Sequence, residues 1–164
     1  MDDFRLDSIN KKKLSEFNLE EVRGWMIDRL YQIEILIDDI IVDYYKPEKE
    51  EEFKKIVLNS SIISIGAKIK ILNNIEGFEN KQIKMLGELA RIRNYFAHLP
   101  LNEEIKIKGN NQKNEETSFS IEVYKKLYIM NSEGKLKERD AKETILNFFK
   151  LNEDIRYYLK DYKV

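Results

Sequence analysis

The sequence contains no cysteine, which removes disulfides and thiolate metal sites and accords with a reducing, cytoplasmic setting. Proline occurs twice and glycine six times in 164 residues, so long stretches carry no breaker and helix is the expected element. No run is both long and apolar enough to span a bilayer. The greasiest one, IEILIDDIIV, is interrupted by Glu34, Asp38 and Asp39. The opening MDDFRLDSINKKK carries charges where a secretory signal needs an apolar centre, so neither export nor a membrane partner is expected. An excess of one charge sign is missing too. With 29 basic and 30 acidic side chains the net charge is −1, which argues against a globally cationic nucleic-acid binder but permits a local basic cleft. Among the ionisable types present, histidine is the scarcest, occurring once, as His98.

Hydrophobic residues make up 42% of the chain and charged residues 36%, the balance of a single domain, here 1–164, with a real core and a charged surface. Asn18 and Glu21 form a capping box, after which Val22, Met26, Leu30, Ile33, Ile37, Ile41 and Tyr44 recur at steps of three and four. That first helix is expected to stop near Tyr45, because Lys46 precedes Pro47. A second helix is expected from about Glu50 to NNIEG, with Phe53, Val57, Ser60, Ser64, Ala67 and Ile71 on one face. A third is expected from Asn80 to His98, its stripe made of Met85, Leu89, Ile92, Phe96 and Leu99, with Pro100 at its end.

The stretch after Pro100 is polar and reads as a loop with a short strand at Ile105 to Lys108. Phe119, Ile121 and Val123 then alternate with Ser118, Ser120 and Glu122, and NSEG supplies a turn, which together predict a β-hairpin. Asp140 and Glu143 make a second capping box, and Ala141, Ile145, Phe148, Ile155, Leu159 and Tyr162 carry a last helix. The expected fold is mainly α: an antiparallel four-helix bundle with a β-rich insertion at about 105–138. Trp25 is expected in the core, and the tyrosines 157, 158 and 162 as core or interface residues rather than base-stacking ones. The acidic run EKEEEEF reads as a solvated helix start, not a metal site.

The chemistry-bearing residues collect in ELARIRNYFAHLP. On a helix, Arg91, Asn94 and His98 share a sector about 60° wide, with Gly87 one turn earlier. Arg93 lies about 140° from His98, beside Leu86, Ala90 and Ala97. Imidazole, with its ordinary pKa near 6.5, suits proton transfer at neutral pH. Guanidinium gives permanent, forked donors to phosphate. Asparagine can orient either the imidazole or a ribose. A lone histidine near a helix end also suits the helix dipole, and that plain structural role is the alternative.

RNYFAH resembles the Arg-x4-6-His signature of the HEPN superfamily in its Arg-Asn-x-x-x-His form, and both Arg91 and Arg93 satisfy the gap to His98. The resemblance implies an all-helical domain that dimerises to form a composite, metal-independent RNA-cleaving site. It implies no cofactor, a role as toxin or antiviral-defence effector, and a possible antitoxin or defence-system partner. It makes Arg93, Asn94 and His98 the catalytic residues and Arg91 a substrate contact. A non-catalytic HEPN-like dimer that binds RNA or nucleotide is the second reading. Two departures stand out. The tyrosine that some members carry two residues after the histidine is here Pro100, and the β-rich insertion exceeds the minimal domain. One histidine per chain cannot easily serve as both acid and base, which favours two copies sharing a cleft, and Gly87, Ala90 or Ala97 would allow the two third helices to approach.

Overall fold

The computed structural model describes residues 19–98, 101–110, 118–130 and 134–162. The Asn18 cap, Leu99, Pro100, residues 131–133 of the expected turn and the charged opening segment lie outside them. The fold is mainly helical with a small antiparallel sheet. Helix α1, Leu19–Tyr45, begins with Glu20 and Glu21, whose charges suit the helix N-terminus. Its buried line is Val22, Met26, Leu30, Ile33, Ile37 and Ile41, as the periodicity predicts, whereas Tyr44, expected to continue the line, is exposed on the last turn. Lys46 ends it in the left-handed region at φ 46°, its N–H still bonded to the Val42 carbonyl at 2.8 Å, a conformation that leads into Pro47.

The second helix is not continuous, contrary to expectation. A short α2, Glu50–Glu52, runs into a π-helical turn, Phe53–Val57, and helix resumes only at α3, Ile65–Leu72. The polar side chains between them explain the break, because they bond to nearby backbone and so compete with the helical ladder. Asn59 Oδ1 accepts from the Ser61 backbone N–H at 2.9 Å, and Asn59 Nδ2 donates to the Lys55 carbonyl at 3.3 Å. Ser64 then caps α3, its hydroxyl oxygen accepting from the Ala67 N–H. Leu58 fills the interruption as a buried core residue. The acidic residues of α2 stand exposed, Glu51 and Glu52 paired with Lys55 and Lys49.

Helix α4, Asn80–His98, buries Leu86, Leu89, Ala90, Ile92 and Phe96. Strands β1, Leu101–Asn110, β2, Ser118–Met130, and β3, Leu136–Asp140, form an antiparallel meander in that order. Thus β1 occupies much of the expected polar loop, and a third strand extends the expected hairpin. Its register pairs Ile105 with Val123 and Leu127 with Arg139. Leu127 and Ile129 are buried in the helical core, so the inner part of the sheet belongs to the core.

Asp140 ends β3 and caps helix α5, Ala141–Asp161, by accepting from the Glu143 N–H at 2.7 Å, as expected. Helix α1 packs on α3, α4 and α5, and α4 also packs on α3 and α5. Trp25 stacks on Phe149 at 4.0 Å, on the rim of that core. Tyr158 and Tyr162 hold the turn before α4: Tyr158 donates to the Gly77 carbonyl at 2.8 Å and Tyr162 to that of Glu76. Gly77, at φ +94°, sits where a Cβ would meet the Tyr162 ring at 3.1 Å. Tyr157 is exposed. Among the described residues, no helix is long and apolar enough to cross a membrane.

A charged cluster lies inside. Lys68 of α3 has 0% exposure, and its ammonium meets Glu34 at 2.8 Å and Asp38 at 2.8 Å, both buried on α1. The Ser60 hydroxyl donates to the same Glu34 oxygen at 2.8 Å. Burial pushes the Asp38 carboxyl above its usual range, Glu34 adding to that, while the Lys68 hydrogen bond and charge pull it back.

Two outcomes follow from this cluster. Lys68→Met leaves two buried carboxylates without their cation and is expected to cost about 3–5 kcal/mol of stability in urea unfolding, much of it regained when Glu34 and Asp38 are also made apolar. A wild-type-like Lys68→Met would show that the cluster is dispensable. The second outcome concerns pH. A carboxyl raised in the folded state binds its proton more tightly there, so its contribution is full below the unfolded value, about 4, and is lost as pH rises through the folded value. Asp38→Asn is therefore expected to remove part of the decline in stability above about pH 4, read from unfolding free energies across the acid range. An unchanged slope would contradict the raised value.

Candidate functional site

Helix α4 is amphipathic, and its outer face is where the sequence places its chemistry. Arg91, Asn94 and His98 are all exposed, and Gly87 opens on empty space. His98 is the last residue of the helix. None of the three is in the core, so no packing requirement accounts for this combination of side chains. Arg93 differs. It is half-buried, on the core side of α4 near Leu89 and Phe96, and helix geometry turns it about 140° from His98. Within one chain the helix thus gathers Arg91, Asn94 and His98 into one sector and directs Arg93 elsewhere. Ala90 is buried within the chain, which leaves Gly87 and the half-buried Ala97 as small residues for a close helix approach.

The structure adds three residues to this surface. Glu88, one turn before Arg91, forms an ion pair with its guanidinium. The other carboxylate oxygen of Glu88 meets Arg139 Nη1 at 3.3 Å, and the Arg139 guanidinium lies over the Tyr95 ring at 5.9 Å. Strand geometry explains how Arg139 arrives there. It pairs across the ladder with Leu127, and directly opposed residues share a face. Because Leu127 is fully buried beneath the helices, Arg139 starts from the core-facing side of the sheet and reaches out to α4.

Two grooves flank this carboxylate bridge. The first, about 540 Å³, is lined by Lys84, Met85, Gly87, Glu88, Arg91 and Leu151. The second, about 290 Å³, has Glu138, Asp140 and Glu143 among its walls beside Arg139. Their electrostatics differ: the first offers two cations around one carboxylate, whereas three acidic residues make the second unfavourable for phosphate. Among the described residues, no group of three or more histidines or carboxylates is placed to hold a metal ion.

Arg91 and Glu88, three apart on one helix, are a readable pair. Arg139 gives no such signal, since 51 residues, strands β1 and β2 among them, separate it from Glu88. The Arg139 contact with Tyr95 depends on the sheet register and is equally hidden.

Comparison with protein-family models, with curated proteins and with solved structures finds no match to this chain, so the meaning of the site rests on its own residues.

Proposed function

We propose that the chain is a HEPN-type endoribonuclease that cleaves RNA without metal in a composite site between two copies, as a toxin or antiviral-defence effector. The observation that carries this reading is the exposure of His98, Asn94 and Arg91 on one sector of α4. A histidine kept for packing would be buried, and a cation kept for the helix dipole would not need asparagine and arginine on the turns behind it. In this reading α1, the interrupted α2–α3 segment, α4 and α5 form an antiparallel four-helix bundle, with the sheet between α4 and α5 as an addition.

The chemistry uses groups that proton transfer and phosphate require. One His98 removes the proton from a ribose 2′-hydroxyl, whose oxygen attacks the adjacent phosphorus. The His98 of the second copy gives a proton to the departing 5′-oxygen, so the P–O5′ bond breaks and a 2′,3′-cyclic phosphate remains. Arginine offsets the extra negative charge of the phosphorane, and Asn94 orients imidazole or ribose. Two-fold symmetry provides both the acid and the base from a single kind of histidine.

The position of Arg93 favours a second reading, in which the dimer binds RNA or nucleotide without cutting it. Half-buried and turned from His98, Arg93 reaches a shared phosphate only across the dimer axis or by a curved side-chain path. Under the toxin or defence reading, the resemblance implies an antitoxin or a defence-system protein as a possible partner.

Purified protein incubated with total RNA in EDTA separates the possibilities. Cleavage is expected to persist in chelator and to vanish in His98→Ala, while that variant keeps wild-type helical CD and melts within about 0.5 kcal/mol of the parent, as exposed substitutions do. Cleavage that needs added magnesium would sink the mechanism. Unfolding of His98→Ala would make the histidine structural, and RNA binding without cleavage by wild type would leave the binding reading in its place.

A further inference from the structure

Gly87 stands in the interior of α4, where glycine is less stable than alanine. Among the described residues, a Cβ added there would meet nothing within 4 Å, so no packing contact calls for the glycine. The bare spot instead opens the groove of about 540 Å³ that α4 shares with α5. That size falls in the range of small-ligand sites, roughly 300–1,000 Å³.

The walls of this groove are of two kinds. Met85 and the α5 residue Leu151, both half-buried against the core, give it apolar surface. Lys84 and Arg91 give it charge, and Glu88 is the acidic residue among its walls. Glu88 follows Lys84 by four residues, the spacing of a helical ion pair, yet its carboxylate is turned to Arg91 and Arg139. Among the described residues no carboxylate pairs with Lys84, which lines the groove as an uncompensated cation. Glu88, only 18% exposed, stays in place when an anion arrives. It holds Arg91 through Nη2 and leaves the other N–H groups of that guanidinium, 55% exposed, to the newcomer.

Placement ties the groove to His98. Lys84, Gly87, Arg91, Asn94 and His98 follow one another at steps of three and four, within a sector about 80° wide. Lys84 and His98 each lie seven residues from Arg91, about 10.5 Å along the helix axis. A strand that follows this sector from His98 therefore enters the groove. A second copy is the poorer occupant, because a two-fold axis at Gly87 would set Lys84 and Arg91 against their own cationic counterparts.

We infer that this groove is a nucleotide subsite that holds the RNA strand beyond the linkage at His98, a phosphate on Lys84 and Arg91 and a base on Met85 and Leu151. The inference rests on the proposed RNA-cleaving function.

The test is binding of a fluorescein-labelled, 2′-O-methylated single-stranded RNA, which 2′-hydroxyl attack cannot cleave, at several salt concentrations. Lys84→Gln is expected to weaken binding about three- to tenfold and to lower the slope of log affinity against log salt by about 0.7, the loss of one phosphate contact on a single strand. Gly87→Leu is expected to weaken binding by filling the groove while leaving that slope unchanged, because it removes no charge. Both variants should keep wild-type helical CD, and if Gly87→Leu fails to fold, Lys84→Gln and its salt slope decide. Loss of affinity in only one of two folded variants overturns the inference, since the subsite needs both its charge and its open floor. Gly87→Leu that alters the oligomeric state of RNA-free protein in sedimentation while keeping wild-type RNA affinity gives the groove to a second copy and overturns it too. Wild type that cleaves RNA while both variants bind as it does overturns this inference and leaves the proposed function standing. Wild type that neither binds nor cleaves RNA overturns both.

Discussion

A lysine ammonium shut away from water must meet carboxylates at contact distance, because an uncompensated buried charge costs more than a small fold can absorb. In this chain the requirement falls on Lys68, and α1 answers it with Glu34 and Asp38, one turn apart on its inner face. The three groups fix how α3 is rotated against α1, since a turn of α3 in either direction would strand the ammonium. Ser60 joins through Glu34, so the chain between Leu58 and Ser64 is drawn to the same point. Helix α4 packs on both α1 and α3, and the outer face it presents is therefore set by what lies beneath it.

The outer face of α4 carries the functional reading, and its inner face makes that reading possible. Leu86, Leu89, Ile92 and Phe96 are buried with 0% exposure, which holds the helix in one rotation. Given that rotation, Arg91, Asn94 and His98 have to point outward. The sheet then attaches to the same surface from outside through the Arg139–Glu88 contact. The surface thus draws its rigidity from the core side and its charged groups from two elements far apart in sequence.

Much of this is legible in the sequence. The periods of α1, α4 and α5, the stop at Pro47 and the Asp140–Glu143 cap are local signals, and the elements follow them. The interrupted second helix was not legible as such, because its apolar residues keep a helical spacing while Asn59 and Ser61 divert the backbone by hydrogen bonds that spacing does not reveal. Glu34 and Asp38 count in the sequence as charges that break a greasy run, yet both turn inward, and the partner that permits it lies on another helix. Within the site, Arg91, Asn94 and His98 could be found because one helix carries all three. Arg139 could not, since only the register of β2 with β3 brings it to Glu88.

The direct test of the proposed chemistry is the structure of the ends left on cut RNA. Attack by the 2′-hydroxyl leaves a 2′,3′-cyclic phosphate on one fragment and a 5′-hydroxyl on the other, and mass spectrometry of a defined oligonucleotide distinguishes these from hydrolytic ends. The account predicts the cyclic phosphate with 5′-hydroxyl, produced by wild type and missing from His98→Ala. Fragments ending in 3′-hydroxyl and 5′-phosphate would contradict it, because water or a metal-bound hydroxide, not the ribose oxygen, would then have been the nucleophile.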